Sequence, residues 1–367
     1  MEKKQRSGYL DLLKVIAMAC VCMYHFAAPS AAFSENMPAG VLVTRFFWGM
    51  NSICVPLFMM VNGALLMNSR FDIKKHAIRW LKMLVGVYAW FLITLFAAHL
   101  WRNGTAYVAK NAFQMLNSAM YLYGYDGVVM NHLWFIQMLI AVYIIVPLIK
   151  AAFDSEDANM HKALWFACTA LGFFCFLTHD FELVNAYFPV LRRVDLTGMV
   201  TMNPARNSTY GAMIVYFILG GLMHRNLDRL RSAKLWQCAA VFFAGEVILF
   251  VEWFLMTRKI EAIYDIVYYG YNCLPTLMMS VALFAGAAVL EARMPKLMES
   301  IAPATRLIGA NTLAIYYLHW LMGLTVIPYF SLPGGALVRF LLILAMMTVC
   351  ALVGKLLRRI PVLRHLV

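Results

Sequence analysis

Asp11, Lys14 and His25 interrupt the otherwise apolar run YLDLLKVIAMACVCMYH, residues 9–25. On a helix, Asp11 and Lys14 are three residues apart and within pairing reach. Lys14 and His25 are eleven residues apart. That is about three turns, so both fall on one face, about 16 Å apart along the axis. The helix therefore carries an ion pair near one end and an imidazole near the other. A neutral imidazole can take a proton from a hydroxyl group. It can also accept an acyl group covalently, and the spacing leaves both roles open. Simpler roles are a lysine that snorkels to the interface and a hydrogen-bonded packing histidine.

Further polar groups occur inside apolar runs. His132 opens HLWFIQMLIAVYIIVPL (132–148), and His319 lies in GANTLAIYYLHW (309–320). Glu246 and Glu252 lie in GEVILFVEW (245–253). Charged groups at mid-membrane cost about 2.5–3.5 kcal/mol each and usually face a partner or a cavity. The two glutamates are about 600° apart around a helix, so at most one reaches a shared site. No two of these residues share a local spacing of the kind zinc ligands use, so no metal site is expected. The eight cysteines all lie within apolar runs and read as packed thiols.

These residues must be held by membrane helices. The chain is 63% hydrophobic and 13% charged over 367 residues, with a mean hydropathy of +0.72. Soluble domains average about 45–50% apolar and about 25% charged. Ten spans are expected, at 9–29, 41–67, 77–100, 132–150, 162–178, 208–224, 234–256, 271–290, 307–327 and 335–356. The fold class is thus all-α, a polytopic membrane bundle of about ten helices, with residues 1–367 forming one domain. The second span is too long for a straight crossing and holds Pro56, so a kink is expected there. The connections 101–131 and 179–207 are the long ones. The first segment reads as a retained helix, because Asp11 and Lys14 interrupt what would be the apolar part of a cleaved leader.

The net charge of +13 raises the question of nucleic acid. Topology absorbs it. With the N-terminus inside, 21 of the 31 Lys and Arg fall on the inner side, nine on the outer side, and Lys14 lies within span one. The positive-inside rule then places both termini in the cytoplasm, with the lipid bilayer as a partner and no nucleic acid.

The order of several segments resembles the integral-membrane acyltransferase 3 family, bacterial enzymes that O-acylate surface glycans. The segments are YLDLLKVIAMACVCMYH, VPLFMMVNGALL (55–66), FDIKKHAIRWLK (71–82), HLWFIQMLIAVYIIVPL, YFILGGL (216–222) and LIGANTLAIYYLHW (307–320). Within the family the chain is most similar to compact, single-domain members of the enterobacterial common antigen O-acetyltransferase type, without a fused esterase-like domain. The resemblance implies a multi-pass protein of the inner (cytoplasmic) membrane. It implies acetyl-CoA or another acyl-CoA as the donor substrate, no tightly bound cofactor, and a glycan or glycolipid hydroxyl outside as acceptor. It matches the family's first-helix catalytic histidine to His25, and further histidines to His319 and His132. The family's usual Arg eleven residues before that histidine is Lys14 here, which keeps the charge without the planar fork. A frequent Ser of the second-helix motif is Asn62.

Lys14, Arg79, Lys82 and Arg225 are candidates for the phosphates of the donor, and each also suits an ordinary positive-inside anchor. Arg192 and Arg193, with Trp134, are the expected acceptor contacts, and Tyr121, Tyr123, Tyr125 and Tyr187 are aromatics able to stack on sugars. The competing reading is a transporter or flippase, since polar stripes and a Pro-interrupted helix also suit a substrate pathway. The lack of an inverted repeat counts against it. A non-catalytic scaffold would leave the polar groups inside the bundle without a use.

Overall fold

The computed structural model describes residues 7–27, 33–187, 209–326, 336–361 and 363–366. Among them the regular structure is helical: α1 (Gly8–Phe26), α2 (Ala39–Gly49), α3 (Cys54–Met67), α4 (Ile73–Met120), α5 (Trp134–Asp154), α6 (Ala158–Tyr187), α7 (Thr209–Arg225), α8 (Leu227–Arg231), α9 (Leu235–Ile260), α10 (Ile266–Tyr269), α11 (Leu274–Arg293), α12 (Pro295–Ala310), α13 (Thr312–Thr325) and α14 (Ala336–Leu357). The protein is an all-α polytopic bundle. Among the described residues, each of the ten expected spans falls largely on helix. Seven helical segments among the described residues are long and apolar enough to cross a membrane, and α12 with α13 adds an eighth that is bent by 69°. The expected fifth span lies in α6, and the sixth in the shorter apolar helix α7.

Two expectations shift. The break in the second span falls before Pro56, in a tighter 3-10 turn at Met50–Ile53 between α2 and α3. The pyrrolidine ring crowds the carbonyl four residues earlier, here Ser52, and Pro56 itself sits in the first turn of α3, where a missing N–H costs nothing. The stretch 101–120, expected as part of a long connection, is helical. Within it Gly104, with a non-helical backbone (φ +80°), kinks α4 and divides it into two helical stretches. Beyond that bend Met115 and Ala119 are buried, while Phe113, Leu116 and Met120 form an exposed apolar stripe. Asp72 caps the start of α4 by accepting from the Lys75 N–H at 3.0 Å, a bond that holds its carboxyl below the usual range.

The chain forms two compact units, each built from two stretches: Met1–Arg70 with Leu148–Arg306, and Phe71–Pro147 with Leu307–Val367. In the first unit the closest seam joins α3 to α7. A Cβ at Gly63 would lie 1.8 Å from the Phe217 carbonyl oxygen, and one at Gly220 would lie 2.0 Å from that of Met60. Only glycine lets the two backbones touch. Lipid is as apolar as a leucine side chain, so such close packing supplies the attraction that burial supplies in water. Asn68 adds a polar link by donating to the Gly221 carbonyl at 3.0 Å. In the second unit Trp90 of α4 stacks on Tyr317 of α13 at 5.3 Å, and its indole N–H donates to the Leu366 carbonyl at 2.9 Å.

Candidate functional site

In the first unit, α1 carries the polar column. Asp11 is buried, and its carboxylate lies 3.6 Å from the Lys14 ammonium. The start of the helix is satisfied from elsewhere. Ser7 makes no side-chain cap; instead Glu291 Oε1 accepts the Tyr9 N–H at 3.0 Å, while Glu291 Oε2 pairs with Arg231 at 2.9 Å. The Tyr9 hydroxyl and His224 Nδ1 are 2.5 Å apart. A cavity of about 490 Å³ opens against this network, lined by Gly8, His224, Arg231, Glu291 and Arg306 among others. Its volume is in the range of small-molecule sites.

At the other end of α1, His25 sits half-buried in the last turn. The neighbouring Tyr24 donates to Asp265 at 2.6 Å and lies against Trp48 at 6.1 Å. Arg45, itself buried, faces the same aspartate. The Tyr24 phenol thus ties the end of α1 to the stretch before α10, and its ring lies against Trp48 of α2.

Two of the sequence candidates come together in the second unit. His132 and His319, both buried, meet edge to face at 5.4 Å. His132 stacks on Trp320 at 4.4 Å, and the Tyr316 hydroxyl donates to the His132 carbonyl. His319 Nδ1–H donates to the Ile315 carbonyl at 3.0 Å. That bond fixes the tautomer and makes Nε2 the basic nitrogen. Trp134 lies half-buried two residues after His132. Two other histidines of this unit have structural roles. His76 Nε2 bonds the Tyr143 carbonyl at 2.8 Å, and His99 is bonded through both ring nitrogens, to the Tyr125 carbonyl and to Asn103.

Residues 7–355 match the family of acyltransferase domains. The chain belongs to this family. No curated protein and no solved structure matches it.

In this membrane acyltransferase the basic candidates differ in what they already hold. Arg225 donates to the Phe153 carbonyl at 2.5 Å and to Asp154 at 2.8 Å, with its guanidinium 3.4 Å above the Phe153 ring. Lys150 grips the same aspartate at 2.5 Å and the Met67 carbonyl at 2.7 Å. Arg225 is thus part of a clamp between the ends of α3, α5 and α7. Arg79 and Lys82 are exposed on α4 in the second unit. Arg192 and Arg193 lie outside the described residues. The sequence reading missed His224, Arg231 and Arg306, which line the cavity. The available signal for His224 and Arg231 was the density of basic groups in HRNLDRLR (224–231), where an interface anchor looks the same as a ligand contact. Asp180, Glu252 and Cys273 form the one group among the described residues with the composition and closeness to hold a metal ion.

Proposed function

We propose that this acyltransferase moves an acetyl or other short acyl group from cytoplasmic acyl-CoA to a hydroxyl of a cell-surface glycan or glycolipid outside the inner membrane. The observation that carries this reading is α1 itself. One unbroken helix starts at a cavity lined by Gly8, bears the Asp11–Lys14 pair in its first turns and carries His25 in its final turn. With both termini cytoplasmic, that helix leads from the compartment where thioesters are made to the compartment where the glycan lies. In this reading Arg231, Arg306 and His224 contact the donor's phosphates, and Lys14 lies further along its path. His25 takes the acceptor's proton as the hydroxyl oxygen attacks the thioester carbonyl; the C–S bond breaks and CoA leaves as the thiolate. In an alternative order the imidazole first carries the acyl group and then passes it on. His319 and His132 of the second unit are the alternative candidates for the same role.

The test is mass spectrometry of surface glycans and lipids from cells with and without the protein. A mass difference of one acyl group on a glycan identifies group and acceptor together. Unchanged glycans and lipids, from cells in which the purified protein also transfers nothing from acetyl-CoA, would sink the proposal. Lys14 gives a second measurement. Lys14→Met will raise the KM for acyl-CoA about tenfold, the worth of one charge-assisted contact, and Lys14→Arg will keep the wild-type value if charge alone matters. An unchanged KM in Lys14→Met would make the Asp11–Lys14 pair purely structural.

A further inference from the structure

Asp180 in α6, Glu252 in α9 and Cys273 at the start of α11 come from three separate stretches of the first unit and meet in space. One oxygen of each carboxylate and the Cys273 sulfur all lie within 4.8 Å of one another. Glu252 is only 7% exposed and Cys273 is fully buried. Asp180 Oδ1 and Glu252 Oε2 are buried with no hydrogen-bond partner, and among the described residues neither carboxylate has a Lys or Arg in ion-pair range. Two adjacent carboxylates, one half-buried and one buried, each with a buried oxygen left unbonded, are costly, because their lost hydration is only partly replaced. Either a shared proton or a cation must offset it.

The third member favours the cation. The Cys273 thiol is in hydrogen-bond contact with Glu252, and on losing its proton it would become a third ligand beside the two carboxylates. A thiolate together with two carboxylates is a donor set for a borderline-soft ion of the zinc type, whereas calcium and magnesium call for oxygen alone. The backbone N–H of Leu274, at the N-terminus of α11, faces the Asp180 carboxylate. That contact orients the aspartate from outside the ligand set, as outer-shell partners do at metal centres. The sulfur also sits 3.9 Å from the Tyr269 carbonyl, to which the thiol donates.

We propose that Asp180, Glu252 and Cys273 form a binding site for Zn²⁺, with a fourth position left for water. On binding, the S–H bond of Cys273 breaks, its proton passes to solvent and a sulfur–zinc bond forms, with no change of oxidation state. Three anionic ligands and one divalent ion leave a net charge of −1, against −2 for the two ionised carboxylates alone. The site stands apart from the acyl-transfer reading, and its test uses no activity measurement.

The full chain is purified in detergent, stripped with a chelator and titrated with Zn²⁺, and bound metal is counted by elemental mass spectrometry. One equivalent is expected. Co²⁺ in its place will give a sulfur-to-cobalt charge-transfer band that vanishes in Cys273→Ser. Glu252→Gln will weaken Zn²⁺ binding about tenfold or more. Binding of less than one equivalent overturns the site. So does a charge-transfer band that survives Cys273→Ser, since it would place the metal on another thiol. Should Cys273→Ser fail to fold, Glu252→Gln decides alone, and wild-type affinity there rejects the proposal.

Discussion

Replacing His25 with alanine will lower acyl transfer at least about 100-fold, the smaller end of what a positioned general base contributes, and will leave the protein folded. The side chain is half-buried in the last turn of α1, so its loss opens little space. The helix end is held without it, by the Ala27 N–H on the Met23 carbonyl at 2.8 Å and by Tyr24 on Asp265. Removing a polar group from a membrane helix also relieves an insertion cost. A base role leaves residual turnover, whereas an acyl-carrier role leaves almost none. Mass spectrometry of the enzyme mixed with acyl-CoA and no acceptor distinguishes them, since only a carrier gains the acyl mass. The measurement is transfer to the native acceptor by a monodisperse His25→Ala sample that still binds acyl-CoA. Wild-type turnover in that sample would remove His25 from the mechanism and pass the role to His319 or His132.

Gly63→Ala or Gly220→Ala will destabilise the protein by about 3 kcal/mol or more, at or beyond the upper end of ordinary overpacking. A methyl group at either position would meet a backbone carbonyl at 1.8 Å or 2.0 Å. No rotamer change moves a backbone oxygen, so α3 and α7 must separate along their length. Gly40→Ala is the control. It has nothing within 4 Å of the added carbon and will change stability by no more than about 0.5 kcal/mol. Thermal unfolding in detergent compares the three. Equal unfolding midpoints would mean that the seam gives way without cost.

What the sequence made legible follows from the range of the interactions. Asp11, Lys14 and His25 share one helix, so fixed geometry per residue was enough to relate them. The spans were legible because twenty apolar residues in lipid have few alternatives to a helix. His132 and His319 were visible singly, but their contact depends on how α13 approaches the residues before α5, which no local spacing encodes. The metal-ligand group was hidden for the same reason, with its members on three elements and unrelated spacing. Gly104 read as part of a loop because a lone glycine marks a bend, a break or a helix end equally well. Pro56 identified the interrupted span, and the position of the break followed from where its ring collides.

The seam between α3 and α7 also sets an order for biogenesis. Asn68 and its acceptor Gly221 are 153 residues apart. As the chain emerges, α3 enters the membrane first, and α4, α5 and α6 are all synthesised before α7 exists. Throughout that interval the Gly63 groove has only lipid against it, and the Asn68 carboxamide has no helix to bridge to. Non-local contacts of this kind cannot stabilise a chain until both partners are present. Nascent chains that stop short of residue 209 therefore carry an unfilled groove, a feature by which a membrane chaperone or protease can tell an unfinished copy from a finished one.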